Sequence, residues 1–240
     1  MLLDREVEFL SVKSLATRRE QHGMALERLI AHSMQQQSER IEKARAEFNF
    51  GSIQSWIPRN SRVLDVGAWK CYLGQLLRDR KGCEVLALDV ADANKTDIPF
   101  QTFDGKTLPV NAHSFDVVLV LYVLHHAADD EPLLRESSRV LRDGGLLLVA
   151  EDCVDSFWDR VLTIGFHVWL RLITKMSRDG EFRKKDQWQA RFRKAGFRVR
   201  KTISLGHHVG RLLWPNNVLF ILEKEAVSGA CPPMVARARN

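Results

Sequence analysis

The stretch from Arg62 to Gly74 constrains the fold more than any other part of the chain. It reads R-V-L-D-V-G-A-W-K-C-Y-L-G: a short apolar strand ends at Val66, and Gly67 breaks it where a turn must follow. From Cys71 to Asp79 the apolar residues recur at helical spacing. A second apolar strand, residues 84–88, follows and ends at Asp89. This order of strand, glycine turn, helix and strand predicts an open α/β sheet whose ligand lies at the carboxyl ends of its strands.

The acidic residue at the end of the second strand predicts a nucleoside ligand, because the carboxylate of Asp89 can accept both hydroxyls of a ribose. A dinucleotide site would need the glycines of a G-x-G-x-x-G turn, so that backbone amides approach a pyrophosphate. Here Trp69 and Cys71 occupy the later glycine places. A bulky Trp obstructs a pyrophosphate, which disfavours NAD and FAD. A cofactor without phosphates, such as S-adenosylmethionine, fits the turn better.

Five motifs, in order and at the right spacing, resemble those of class I S-adenosylmethionine-dependent methyltransferases. They are V-L-D-V-G-A-W-K-C-Y-L-G, V-L-A-L-D, F-D-G-K-T-L-P, S-F-D-V-V-L-V-L-Y-V-L-H-H and R-V-L-R-D-G-G-L-L-L-V. The L-H-H run is most similar to the small-molecule branch, and the resemblance covers residues 50–225. It implies a Rossmann-like, doubly wound, seven-stranded sheet that is mostly parallel with an antiparallel final strand.

The resemblance also implies the residues that bind S-adenosylmethionine. Asp65 would hold the methionine ammonium group, Asp104 would accept from the adenine amino group, and Trp69 would either cover the methionine part or simply pack in the fold. The alternative for Asp104 is a solvated turn aspartate. Cys71 is expected to keep a right-handed helical backbone. The full predicted cofactor set is Asp65, Gly67, Ala68, Trp69, Asp89, Val90, Phe103, Asp104, Gly105, Leu121 and Tyr122.

Two adjacent histidines follow the most apolar strand of the chain. His125 and His126 are the candidate catalytic residues, since methyl transfer to a hydroxyl needs a base with a pKa near neutrality. The alternative is that both histidines only pack and cap a turn. Second-rank candidates are Glu151, Asp152, His207 and His208. The four cysteines form no C-x-x-C pair, and no histidine stands at metal-ligand spacing, so the sequence predicts reduced thiols and no metal site.

The composition divides the chain into three parts. Residues 1–50 predict an N-terminal helical extension, which either packs on the flank of the domain or forms a lid. Residues 51–225 form the methyltransferase domain, and residues 226–240 a disordered tail. Within the domain, residues 155–177 are too apolar for a solvated loop. This insertion either roofs an apolar acceptor pocket or lies on a membrane surface as a peripheral contact.

The net charge of +6 and the pI near 9.3 allow an acidic partner without demanding one. The basic segment 178–201 is compatible with RNA, but Trp188, Phe192 and Phe197 within it look like core, so nucleic acid is disfavoured. Acidic residues interrupt the amino-terminal apolar residues, which predicts no secretory signal and a cytoplasmic protein. We therefore predict a methyltransferase for a small, apolar or aromatic acceptor, with oxygen favoured over nitrogen or carbon. The alternatives are an RNA methyltransferase and a non-catalytic scaffold. The oligomeric state is not indicated.

Overall fold

The chain divides into two compact units, Met1–Ala46 and Glu47–Asn240. The computed structural model describes residues 32–127, 129–174, 181–209 and 212–225. The predicted N-terminal extension is thus described from residue 32 onward, where helix α1 covers residues 32–53. A 3-10 turn, Gln54–Trp56, follows α1 and leads to Pro58 as the apolar pattern predicts. The predicted tail, residues 226–240, lies outside the described residues.

A seven-stranded sheet in the order β3-β2-β1-β4-β5-β7-β6 dominates the second unit. Strands β1 to β5 pair in parallel, whereas β7 is antiparallel to both β5 and β6. This is the predicted fold class. The strands are β1 Arg62–Val66, β2 Glu84–Asp89, β3 Phe100–Thr102, β4 Phe115–Leu121, β5 Leu141–Asp152, β6 Phe197–Val209 and β7 Leu212–Lys224.

Among the described residues of this unit there are four further helices: α2 Tyr72–Lys81, α3 Glu131–Val140, α4 Phe157–Thr174 and α5 Lys185–Lys194. The central strand β4 is almost wholly buried, as its continuous apolar sequence predicts. Trp188, Phe192 and Phe197 are fully buried, which confirms that the basic segment around them contributes to the core.

The fifth strand begins earlier than the sequence predicts. From the sequence, the pair Gly144-Gly145 predicts the end of α3, and the apolar run after it predicts a strand over residues 146–150. Instead β5 starts at Leu141, which pairs with Phe115, and the register shifts before Leu146 pairs with Val117. The two glycines therefore form a bulge. A Cβ on Gly145 would lie 2.9 Å from the carbonyl oxygen of Arg142, so only glycine fits there.

The apolar pattern of the sequence predicts a final pair of strands over residues 197–205 and 218–222, and the observed β6 and β7 are longer than these ranges. Pro215, within β7, has no N–H group to donate to a neighbouring strand. The pair accommodates this region through register shifts around Gly206, whose φ is +82°. The strand pair thus continues past a residue that normally ends one.

The apolar insertion is a helix, α4, that packs against β7. Its polar residues Asp159 and Thr163 are buried. Its outer face exposes five large apolar side chains: Phe157, Trp158, Val161, Ile164 and Val168. Among the helices that the structure describes, none has the length and apolarity needed to cross a membrane.

A buried carboxylate joins α3 to α5. Asp130, directly before α3, is 1% exposed, and its Oδ2 accepts a hydrogen bond of 2.8 Å from Arg183 Nη1. Its Oδ1 accepts from Arg191 on α5, with Nε at 2.7 Å. Arg183 and Arg191, two of the cations in the basic segment 178–201, are thus ion-paired within the fold.

Candidate cofactor and acceptor site

The loop between β1 and α2 has a left-handed backbone at three alternate residues. The φ angles are +76° at Gly67, +48° at Trp69 and +62° at Cys71. A left-handed conformation costs a non-glycine residue about 1–2 kcal/mol. The loop therefore has the conformation of a glycine-rich turn although two of the three residues carry side chains.

The expected right-handed backbone of Cys71 is wrong. Cys71 is the N-cap of α2, with φ +62° and ψ +13°. Its N–H donates to the carbonyl oxygen of Ala68 at 2.9 Å, and its own carbonyl accepts from Gln75 at 3.1 Å. The chain closes a tight turn and starts a helix at the same residue, which fixes the left-handed angle. Burial, and then the charges of Asp65 and Asp89, raise the pKa of its thiol to about 12.

Gly67 is required for space as well as for its backbone angle. A Cβ at this position would lie 2.3 Å from Cγ2 of Val123, which follows β4. The N–H groups of Gly67 and Ala68 both donate to the carbonyl oxygen of Leu88, at 2.8 and 3.1 Å. The loop is thus held between the ends of β2 and β4.

Asp89, the last residue of β2, fixes the same loop through its carboxylate. Its Oδ2 accepts from the N–H of Trp69 at 2.8 Å, and its Oδ1 accepts from the N–H of Val90 at 2.7 Å and of Ala91 at 3.4 Å. A carboxylate offers about four acceptor positions, so these bonds leave capacity for a ligand hydroxyl. The predicted contact with a ribose is therefore compatible with the structure and stays a prediction.

Asp65 is a buried carboxyl within β1, one residue before its end. It is 4% exposed, and burial raises its pKa to about 7, with the charge of Asp89 adding to the shift. A nearby cation stabilises the ionised form of such a group. The site therefore suits a ligand that brings a positive charge, as an ammonium group does.

The predicted adenine residues gather beyond β2 and β3. The N–H of Phe103 donates to the carbonyl oxygen of Asp89 at 3.0 Å, and a Cβ on Gly105 would lie 3.3 Å from Val90 Cγ1. Asp104 is exposed, and its Oδ1 accepts from the N–H groups of two following residues, at 2.8 and 2.7 Å. Those bonds lower its pKa. Asp104 thus has the exposure and the backbone hydrogen bonds of a turn aspartate. The contact of Asp104 with adenine stays a prediction.

The end of β4 carries the predicted catalytic histidines. Leu121 ends the strand, and Tyr122 follows in a left-handed conformation, φ +61°. The next turn, Leu124–His126, buries His125 to 2% exposure. Nδ1 of His125 lies 2.5 Å from Oε2 of Glu151 at the end of β5.

Glu151 is completely buried, and its other oxygen accepts from the N–H of Leu124 at 2.8 Å. Glu151, one of the second-rank catalytic candidates, therefore orients His125, because one carboxylate oxygen contacts the ring and the other binds the backbone of the turn that carries it.

A third histidine, which the sequence analysis missed, completes this group. His167 on α4 lies with its ring centroid 5.4 Å from that of His125 and 6.1 Å from that of His126. Its Nδ1 is 2.9 Å from the carbonyl oxygen of Thr163, and its Nε2 is 3.6 Å from Oδ2 of Asp152. Burial lowers the pKa of His167. One ring nitrogen from each of the three histidines lies within 4.8 Å of the others.

The chain returns to the same place after α4. The N–H of Glu181 donates to the carbonyl oxygen of His125 at 2.9 Å, and the ring of Phe182 lies 4.5 Å from that of His167. The side chains of His207 and His208 lie outside the described residues.

All these groups lie at one edge of the sheet, because the carboxyl ends of β1, β2, β4 and β5 meet there. The half at β1 and β2 carries two acids, Asp89 at the end of β2 and the buried Asp65 on β1. The half at β4 and β5 has three imidazoles and two carboxylates. The order and directions of the strands are those of the class I S-adenosylmethionine-dependent methyltransferase fold, and S-adenosylmethionine is the cofactor that this fold indicates.

Comparisons with known proteins agree. A family model described as "Methyltransferase domain" matches residues 64–149. The chain is 35% identical over 97 residues to a demethylmenaquinone methyltransferase of Renibacterium salmoninarum, covering 38% of this chain and 40% of the relative. It is 26% identical over 120 residues to a ubiquinone biosynthesis O-methyltransferase of Bartonella tribocorum, covering 45% and 48%. The chain thus spans less than half of the length of either relative.

A solved structure, an S-adenosylmethionine-dependent methyltransferase from Mesorhizobium loti, superposes with a TM-score of 0.59 at 15% identity, covering 74% of this chain and 98% of that one. At this identity the likeness concerns the fold. The matched domain covers residues 64–149, and the likeness in fold extends over 74% of the chain.

Proposed function

We propose that this protein transfers a methyl group from S-adenosylmethionine to a hydroxyl oxygen of a small, apolar or aromatic acceptor. The observation that carries the proposal is the group of histidines beside the apolar helix α4, across the sheet edge from the cofactor residues. A hydroxyl must lose its proton to become a good nucleophile, and imidazoles are suited to promote that loss at neutral pH.

The cofactor half of the site fits S-adenosylmethionine at three points. We assign Asp65 to the ammonium group, Asp89 to the ribose, and the surface beside Val90, Phe103 and Asp104 to the adenine. When bound, the cofactor supplies a methyl group on a sulfonium that is already activated for transfer. The protein must then orient the acceptor and exclude competing water, which are effects of proximity.

The acceptor half supports an apolar acceptor with an ionisable oxygen. His125 and His126 lie at the end of β4, and Phe182 packs on the ring of His167. The two relatives named above are, by their names, a demethylmenaquinone methyltransferase and a ubiquinone biosynthesis O-methyltransferase. Both names support an aromatic or quinone-like acceptor for this chain.

The outer face of α4 supports a peripheral contact with a membrane surface. Phe157 and Trp158 are 72% and 70% exposed at its amino-terminal end, and the exposed Arg160 stands beside them. Aromatic side chains with a cation at their edge suit the boundary between lipid headgroups and acyl chains. A helix that touches both a membrane and the acceptor site would suit an acceptor that partitions into lipid.

The two rival functions have less support. The pairing of Arg183 and Arg191 with Asp130 removes two cations from an RNA-binding surface. The scaffold alternative depends on Trp69 and Cys71, which replace glycines of the turn. The loop nevertheless keeps a left-handed backbone at both residues, as a cofactor turn does.

Calorimetry with S-adenosylmethionine and its demethylated product tests the cofactor half. We expect binding, and we expect Asp89→Ala to weaken it by about 1.5–3 kcal/mol, the range for a hydrogen bond to a charged group. Mass spectrometry of a panel of phenols, hydroquinones and amines, each incubated with cofactor and protein, tests the acceptor. Methylation of amines but of no hydroxyl compound would refute the oxygen assignment, and absence of any binding heat on folded protein would refute the enzyme.

A further inference from the structure

The three histidines form a group that can hold a metal ion. His125 comes from the turn after β4, His126 follows it, and His167 comes from α4. Their ligand atoms lie within 4.8 Å of one another, with His125 buried and the other two half-buried. We propose that His125, His126 and His167 bind one divalent transition-metal ion of the zinc type.

The hydrogen bond of His125 leaves the correct nitrogen for a metal. Its Nδ1 lies 2.5 Å from a carboxylate oxygen of Glu151, which can only accept when ionised, so Nδ1 carries the proton. Nε2, the nitrogen on the other side of the ring, is the one that we assign to the metal. A carboxylate that accepts from the far nitrogen of a metal-bound histidine is the usual outer partner in zinc sites, where it fixes the ring and raises its basicity.

His167 repeats this arrangement with a backbone partner. Its Nδ1 lies 2.9 Å from the carbonyl oxygen of Thr163, which only accepts, so Nδ1 again carries the proton. In the neutral ring, Nε2 is an acceptor, and it faces the carboxylate oxygen Oδ2 of Asp152 at 3.6 Å. Two acceptor atoms that face each other are stabilised by a cation near both of them. The buried carboxylates of Glu151 and Asp152 favour a divalent charge at this place.

The donor set selects the class of metal. Imidazoles suit zinc, iron, cobalt and nickel, whereas magnesium prefers oxygen ligands. Three histidines with one open position are a known ligand set of catalytic zinc, whose nitrogen ligands lie about 2.0–2.1 Å from the metal and therefore about 3.4 Å apart. The present separations, up to 4.8 Å, require the side chains to approach one another on binding.

The consequence for catalysis rests on the proposed function. The open position would take the hydroxyl oxygen of the acceptor, and the metal would lower the pKa of that hydroxyl. The ion would supply the Lewis acidity for this: the proton of the O–H group would leave to solvent water, and the oxygen would keep the electron pair. The histidines would then act on the acceptor through the metal, with no proton transfer to an imidazole.

Metal binding can be measured without any methyl acceptor. We would strip the purified chain with a chelator, then titrate it with Zn²⁺, Co²⁺ and Mg²⁺ in equilibrium dialysis, recording the visible spectrum of the Co²⁺ form. We expect one equivalent of Zn²⁺ or Co²⁺, an intense tetrahedral Co²⁺ spectrum, and no comparable Mg²⁺ binding. Glu151→Gln should weaken Zn²⁺ binding about 10–100-fold, the usual effect of losing an outer partner.

His126→Ala and His167→Ala should each weaken Zn²⁺ binding more than Glu151→Gln does. His32→Ala on α1 and His113→Ala, whose side chain is 59% exposed and contacts Asp143, are the matched controls and should bind Zn²⁺ normally. Circular dichroism and cofactor calorimetry establish that each variant is folded, and His167→Gln replaces His167→Ala if the latter is not.

Failure to bind one equivalent of Zn²⁺ or Co²⁺, or equal Zn²⁺ affinity in parent, His126→Ala and His167→Ala, would overturn the metal site. If cofactor binding and methylation persist in stripped protein, the metal inference fails and the proposed function stands. If the metal binds at this group but no cofactor does, the proposed function fails and the metal site stands.

Discussion

Asp65→Asn tests the central feature of the cofactor half, a buried acid whose charge the surrounding protein does not favour. Burial and the charge of Asp89 raise the pKa of Asp65 from 3.8 to about 7. Each pKa unit corresponds to about 1.36 kcal/mol, so the ionised form costs the ligand-free fold up to about 4 kcal/mol above neutral pH. Asparagine has nearly the same shape and cannot ionise, so it removes this cost.

The sign of the pH dependence follows from the direction of the shift. Because the folded protein binds the Asp65 proton more tightly than the unfolded chain does, the stabilisation from protonated Asp65 is complete below about pH 4 and is lost as the pH rises through about 7. Urea unfolding at about pH 5 and about pH 8 measures this. We expect Asp65→Asn to gain stability over the parent as the pH rises, by up to about 4 kcal/mol at the higher pH.

Cofactor binding should change in the opposite direction. An ammonium group binds the ionised carboxylate, so the affinity of the parent for S-adenosylmethionine should rise with pH through about 7 and then level off. Asp65→Asn should bind more weakly by about 1.5–3 kcal/mol and lose this pH dependence. Asp92→Asn, a change at an exposed acid near the same loop, is the control for net charge. A stability difference between parent and Asp65→Asn that is the same at both pH values would refute the reasoning.

The remaining predictions concern the loop, the basic segment and α4. Cys71→Gly relieves about 1–2 kcal/mol of backbone cost but loses a buried thiol, so the cofactor affinity measured by calorimetry should be kept or modestly tightened. Cys71→Leu should abolish cofactor binding. Parent-like affinity in Cys71→Leu would show that the loop does not contact the cofactor. Gly67→Ala should lower the free energy of unfolding in urea by about 2–4 kcal/mol, because of its backbone angle and the contact with Val123. Gly51→Ala, which has open space around it, should not lower it. Equal stabilities of the two variants would argue against the packing described. Single-stranded RNA should show no tight, salt-sensitive binding in fluorescence anisotropy, and a sub-micromolar complex with a steep salt slope would favour the RNA alternative. Trp158→Ser should reduce co-sedimentation with anionic vesicles relative to Ser52→Ala, and unchanged sedimentation would remove the membrane contact.

Sequence periodicity predicted the sheet well because buried parallel strands are continuous apolar runs. Strand β4 covers the predicted residues, and β1, α2 and β2 agree within one or two residues. The bulge at Gly144 was missed because two glycines are equally typical of a helix end and of an irregular strand.

The cofactor side was more predictable than the acceptor side. Asp65, Gly67 and Asp89 lie within one local strand–turn–helix–strand unit, so spacing alone brings them together. His167 meets His125 only through the packing of α4, which no local pattern specifies, and its one signal was a polar ring in an apolar run. Cys71 was assigned the wrong backbone because residue type was weighed above the hydrogen bonds that close the turn.

The pairing of Asp130 with two arginines has a consequence for how the molecule opens. Asp130 precedes α3, Arg191 lies on α5, and Arg183 follows the segment that returns to His125. Removing one partner from a buried ion pair costs about 3–5 kcal/mol. If α5 or the segment around Arg183 opened alone, Asp130 would lose one of its two arginine partners and the fold would be destabilised by an energy of this size. We expect α3, α5 and the residues around 181–183 to exchange their amide hydrogens as a single cooperative unit, so that the acceptor half of the site is protected or exposed as a whole.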